Sequence, residues 1–269
     1  MENPVVMNTP TSLFDLSRIA RNRKRATQKF AAHDFLHQRV WQDLMQRRAE
    51  INRPLSNGLV RGDLLPAPEQ IKTLGWQQQP FATQPGTERD LLLSFFELHL
   101  IDDLPAELRR CKTALKPDGV FLACLFGGST LFELRQSLLA AESQINGSAA
   151  ARIIPFVAIK TLGTLVQQAG FALPVIDVDV VTVQYASLRA LRDDIRGMGE
   201  ANPLAASMHP LSKSVWDCAE TWYREHFSGP DNRLIAHFEI LHICGWAPHD
   251  SQQKPLKPGS RAGFFSPPE

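Results

Sequence analysis

A doubly wound α/β sheet is the fold this sequence predicts, and three observations carry that reading. Near-continuous apolar runs at residues 90–96 and 120–126 read as strands buried on both faces. Between and after them lie amphipathic stretches with helical spacing, such as Leu104, Leu108, Cys111 and Leu115 on one stripe. Strands that alternate with helices make a mostly parallel sheet covered on both sides.

Taken in order, the chain opens with Leu13, Phe14, Leu16 and Ile19 before a basic run, Arg18, Arg21, Arg23, Lys24 and Arg25. That run reads as a helix with a solvated face, or as a docking surface for an acidic partner. Residues 35–51 read as a second helix, with Leu36, Val40, Leu44 and Ile51 near helical spacing. Residues 58–65 are weakly strand-like. The stretch from 66 to 88 is rich in Pro, Gln and Thr, with no convincing strand and one or two helical turns near 69–74.

A helix over 105–115 then leads to the turn Lys116-Pro117-Asp118-Gly119 and the strand 120–126. Ser129 is placed to cap a helix running to about Ile145. A helix over 158–169 stops at Gly170, the residue suited to a left-handed C-terminal position. Residues 175–183 read as a strand, 187–198 and 211–227 as inserted helices, and 234–246 as a final long strand, antiparallel to its neighbours. The division expected is an N-terminal helical arm over 1–55, one domain over 56–248 and a tail over 249–269, ordered at first and then frayed.

The 269 residues are 43% hydrophobic and 21% charged, as in a globular protein, and the net charge of +1 gives no global field for nucleic acid. No run is apolar enough to cross a bilayer, and the first dozen residues lack a secretory signal or a mitochondrial presequence pattern, so a cytoplasmic location is expected. Cys111, Cys124, Cys218 and Cys244 form no CxxC pair and have no histidine at zinc-ligand spacing, so no metal site is expected.

Several motifs together carry a family resemblance. Gly127-Gly128-Ser129-Thr130-Leu131-Phe132-Glu133-Leu134-Arg135 follows the strand at 120–126, and Pro155-Phe156 comes next. Gly197-Met198-Gly199-Glu200-Ala201-Asn202 and Gly245-Trp246-Ala247-Pro248-His249 follow, with the tail Ser251-Gln252-Gln253-Lys254-Pro255. The chain resembles the complex I assembly factor 5 family, in its alphaproteobacterial form, from residue 13 to 260. That family has the class I methyltransferase (Rossmann-like) fold and is related to the malonyl-carrier-protein methyltransferase of biotin synthesis. Its mitochondrial member is associated with arginine hydroxylation on an iron–sulfur subunit of complex I. The resemblance implies S-adenosylmethionine as cofactor and a respiratory complex I subunit as partner.

One segment departs from the pattern. The fold needs a glycine-rich turn after its first strand and an acid at the end of its second. Here Leu59-Val60 is followed by Arg61-Gly62-Asp63, and only Gly58 and Gly62 flank the strand. From Leu64 to Arg89 there are 26 residues, counting both ends. Family members fit two strands and two helices there, and one βαβ unit already takes roughly 30 residues. Part of the strand 2–strand 3 region is therefore expected to be missing. A degenerate cofactor site in a non-catalytic assembly factor is one outcome. A cofactor held differently, by Gly58, Gly62, Asp63, Ser94, Glu97 and His99, is another, and a poorly folded deletion product is a third. Candidate catalytic residues are His99, after the strand at 90–96, and Glu133 and Arg135, after the strand at 120–126. Each of the three could equally be a packed or paired structural residue.

Overall fold

The computed structural model describes residues 12–80, 83–206 and 209–252. Two helices come first, α1 (Leu16–Ala26) and α2 (Phe35–Glu50). The Asp15 carboxylate caps α1 by accepting from the Arg18 amide at 3.0 Å. Leu36, Val40, Trp41 and Leu44 of α2 enter the same core as the sheet.

Next come β1 (Gly58–Arg61), α3 (Pro68–Thr73), β2 (Gln77–Gln79) and β3 (Arg89–Phe95). The chain continues through α4 (Leu104–Ala114), β4 (Leu115–Phe126), α5 (Phe132–Asn146) and α6 (Ile159–Gln168). It closes with β5 (Ala172–Tyr185), α7 (Leu188–Gly197), α8 (Lys213–Phe227) and β6 (Leu234–Trp246).

The sheet order is β2-β1-β3-β4-β6-β5. The first four run parallel, and β6 is antiparallel to both β4 and β5. Leu91, Leu92 and Leu93 are fully buried, pointing alternately into cores on the two faces. Each contributes roughly 1.5–3 kcal/mol by leaving water. Helices α4 and α6 cover one face, and α2, α5 and α8 cover the other. This is the mixed, doubly wound sheet expected, with α7 and α8 inserted before the antiparallel last strand.

Three local expectations need correction. First, residues 66–88 do contain a strand, β2, paired parallel to β1 from Leu59↔Gln77 to Arg61↔Gln79. Its three glutamines carry no apolar pattern. Backbone pairing places it, together with Trp76, whose indole N–H donates to the Leu55 carbonyl at 2.8 Å. Second, the Lys116–Gly119 segment does not stand before its strand. It lies within β4 as a bulge, with Arg89 opposite Leu115 and Leu91 opposite Val120, and Asp118 at φ 63°. Third, Ser129 does not cap α5. Leu131 holds the N-cap position at φ 54°, and the Ser129 hydroxyl donates to Glu239 instead.

Between β1 and β3, the described residues hold one strand of three residues and one helix of six. Strand β5 forms the far edge of the sheet, with Leu173, Val175, Val178 and Val180 exposed. The expected fraying of the tail falls on residues beyond 252, outside the described residues.

Candidate functional site

Strand order reverses between β1 and β3, since β1 leads outward to β2 while β3 leads to β4. In open α/β sheets such a reversal leaves a crevice at the carboxyl ends of the strands, where ligands bind. Here those ends are Arg61-Gly62-Asp63 and Ser94-Phe95-Phe96-Glu97, with Arg61 directly beside Ser94.

Arg61 is 1% exposed. Its Nη1 donates to Glu107 Oε1 on α4, and its Nε lies 3.6 Å from Glu97 Oε2. The other oxygen of Glu107 accepts from Arg110 at 2.7 Å. Burial is the main influence on the Glu97 carboxyl and pushes it up to about 7, against the pull of Arg61. Neither Glu97 oxygen, nor the Ser94 hydroxyl, has a hydrogen-bond partner. Burial likewise pushes the neighbouring Cys111 thiol up to about 12, leaving it inert as a nucleophile.

A second chain of charges closes the crevice from above. Buried Arg23, on α1, donates to the Phe96 carbonyl at 2.7 Å and to Asp63 Oδ2 at 3.2 Å. It also lies 3.8 Å from Glu200, whose second oxygen meets His99 Nε2 at 2.9 Å. Burial raises Glu200, but His99 and Arg23 outweigh it and hold the carboxyl below its ordinary value. Phe96 itself is held at φ 50°, a strained backbone position for an aromatic residue.

The structure thus brings Gly62, Asp63, Ser94, Glu97 and His99 to one place. Gly58 lies at the other end of β1, where an added Cβ would meet Trp76 ring atoms at 2.5 Å. A Cβ on Gly62 would meet Leu65 at 3.0 Å and the Phe95 carbonyl at 3.2 Å, so this glycine serves strand packing rather than an open turn. Glu133 is buried and accepts from the backbone N–H and ring Nδ1 of His237 on β6. Arg135 makes no hydrogen bond or ion pair with these residues, and its Nη2 is buried without a partner.

Arg23, Arg61 and Glu200 are named in the sequence analysis but not as site residues, and Glu107 is not named there at all. The one available signal was Arg61 itself, a cation ending an apolar strand, which must find carboxylates if buried.

Beside the crevice lies a cavity of about 260 Å³ between α5, α7 and α8. Leu134, Leu138, Ile153, Phe156 and Trp216 are among its walls, and Arg152, Arg192, Arg196 and Glu200 also border it.

Residues 5–174 match the family described as a methyltransferase domain. The chain is 43% identical over 177 residues to the mitochondrial arginine hydroxylase of Danio rerio, covering 66% of this chain and 55% of that protein. Its counterpart in Homo sapiens is 39% identical over 176 residues, 65% of this chain and 51% of that one. The malonyl-[acyl-carrier protein] O-methyltransferase of Xylella fastidiosa is 33% identical over 159 residues, 59% and 52% of the two chains. The chain spans about half the length of the curated relatives it matches. Among solved structures, a candidate methyltransferase from Bacillus halodurans superposes with a TM-score of 0.50 at 12% identity, covering 77% of this chain and 98% of that one. That likeness speaks to the fold alone.

Proposed function

The chain belongs to the methyltransferase-domain family, and from that premise we propose that it is a member with a degenerate S-adenosylmethionine site, acting in respiratory complex I assembly by binding one of its subunits. The observation that supports this most is the filling of the switch-point crevice by the chain's own charges. Arg61 and Arg23 are buried there and held by Glu97, Glu107, Asp63 and Glu200. A nucleoside entering the crevice would have to displace these paired side chains. Its ribose would lack an acid, since β2 ends in Gln79. Gly62 packs against Phe95 and offers no open turn for backbone approach. The residues present do not fit the cofactor, and no transfer step runs through it in this reading.

The partner role rests on the likeness to the assembly-factor family. The exposed Arg21, Lys24 and Arg25 of α1 suit an acidic partner, whereas Arg23 of the same run is buried and structural. A cytoplasmic location and the division at residues 55 and 248 belong to the same proposal; no helix among the described residues is long and apolar enough to cross a membrane.

Titration calorimetry with S-adenosylmethionine tests the first half, and a folded sample is expected to give no heat at micromolar concentration. One-site binding would overturn it. A pull-down of complex I subunits tests the second half, and recovery no higher than background counts against it.

A second reading is favoured by the identity to named enzymes. It makes the protein an active methyltransferase, or an arginine hydroxylase, on a protein or carrier-bound substrate. Cofactor binding in the same calorimetry, with Gly62, Asp63, Ser94 and Glu97 rearranged around it, is what that reading requires.

A further inference from the structure

The cavity between α5, α7 and α8 is lined by side chains that suit a different ligand from any nucleoside. Most of its lining is hydrocarbon and indole, including Leu134, Leu138, Ile153, Phe156 and Trp216, with Asn202 and four charged side chains as the polar part. A polar ligand buried there would lose its hydrogen bonds to water and recover few. An aliphatic chain would lose nothing and remove its own apolar surface from water.

The border of the same cavity is cationic on one side. Arg192 and Arg196 lie one turn apart on α7, so both point the same way. Arg192 lies over the Trp216 ring at 5.7 Å, and its carboxylate partner is the adjacent, half-exposed Asp193 at 2.9 Å. Exposed pairs of this kind hold their partners weakly. The Arg196 side chain is exposed and makes no hydrogen bond or ion pair among the described residues, although its charge helps to lower the Asp193 carboxyl. The other charges on the border are committed elsewhere. Arg152 is held by both oxygens of Glu142, and Glu200 is held by His99 and Arg23. One guanidinium with no side-chain partner, Arg196, and one held only by a half-exposed carboxylate, Arg192, therefore stand beside an apolar hole where an anion can recruit both.

We propose that this cavity binds a single-chain amphiphile with an anionic head. The chain lies among Leu134, Leu138 and Trp216, and the carboxylate or phosphate head meets Arg192 and Arg196. At about 260 Å³ the space sits near the small end of ligand pockets and suits one short chain rather than a two-tailed lipid. The assignment stands whether or not the crevice takes a cofactor, because it uses none of the crevice cations.

Calorimetry of the full chain with sodium decanoate, decyl phosphate and decyltrimethylammonium tests it, with tryptophan emission followed in parallel. The expected result is saturable one-site binding of an anionic amphiphile, with a change in emission that Trp216→Phe removes. Decyltrimethylammonium is expected to bind at least about tenfold more weakly, the scale of losing hydrogen bonds to a charged group. Preference for decanoate over decyl phosphate, or the reverse, separates a fatty carboxylate from a phosphate head. The double change R192Q/R196Q should cost at least about tenfold in affinity for the anion and should not weaken binding of the cation. It alters only partly or fully exposed side chains, so folding is preserved and checked by circular dichroism. Leu138→Trp, which fills the cavity, should abolish binding with both arginines in place. Equal affinity for the two head charges, an R192Q/R196Q variant that binds decanoate as well as the parent, or no saturable binding at all would each overturn the proposal.

Discussion

Replacing Glu97 by glutamine should make the protein more stable at alkaline pH, although it removes one partner of a buried arginine. Glu97 is 1% exposed, neither carboxylate oxygen has a hydrogen-bond partner, and Arg61 stands off at 3.6 Å. Burial dominates, and the carboxyl rises from an ordinary 4.5 to about 7. A raised acid means that the folded chain binds more protons than the unfolded chain between these two values. Stability from this group is thus fully present below pH 4.5 and is lost as pH rises through about 7. At 1.36 kcal/mol per unit, the loss at pH 8 is about 3 kcal/mol. A glutamine amide never ionises, so E97Q should match the parent near pH 5 and exceed it by about 3 kcal/mol at pH 8, or roughly 6–10 °C in Tm. Thermal and urea unfolding at pH 5, 6.5 and 8 make the comparison. Curves that stay parallel across that range, or a variant less stable at pH 8, would refute the reasoning.

His37 gives the opposite pH profile. Burial among Phe30, Phe95 and Phe96 pushes it down from 6.5 to about 3, so the folded chain binds fewer protons as the solution is acidified. His37→Leu should recover about 3 kcal/mol at pH 4 and move the acid-unfolding midpoint, read by circular dichroism, to lower pH. Gly58→Ala forces a methyl group to 2.5 Å from the Trp76 ring and should cost about 1–3 kcal/mol in thermal unfolding. Tyr223→Phe removes the hydroxyl that donates to the Ile235 carbonyl at 2.7 Å and should lower the urea midpoint by about 1–3 kcal/mol equivalent.

Much of the architecture was legible because burial writes itself into apolar runs. Strand β3 and the stripe of α4 follow hydrophobic period alone, and β6 announces itself by length. Strand β2 was not legible, since three glutamines at a sheet edge satisfy only backbone groups and leave no mark in side-chain pattern. The bulge in β4 was read as a separate turn because Pro117 and Gly119 serve either geometry. Ser129 had the residue type of a cap but found a carboxylate 110 positions away.

The crevice was harder. The shortage of chain between residues 64 and 89 was visible, but what fills the resulting space was not. Arg23 looks like one more cation in a solvated run, and Arg61 like a loop residue. Their burial depends on Phe96, which lies 73 positions from Arg23, and on Glu107, which lies 46 positions from Arg61. No local pattern records such pairings.

The two rims of the sheet are unequal, and this has a practical outcome. One rim is sealed by a strand only three residues long, too short to template anything. The other offers fourteen residues of ladder with valines standing out on it. An exposed edge of that length is the side on which self-association would start, and a single lysine at Val178 or Val180 is the substitution that blunts it, with light scattering of concentrated samples as the measurement.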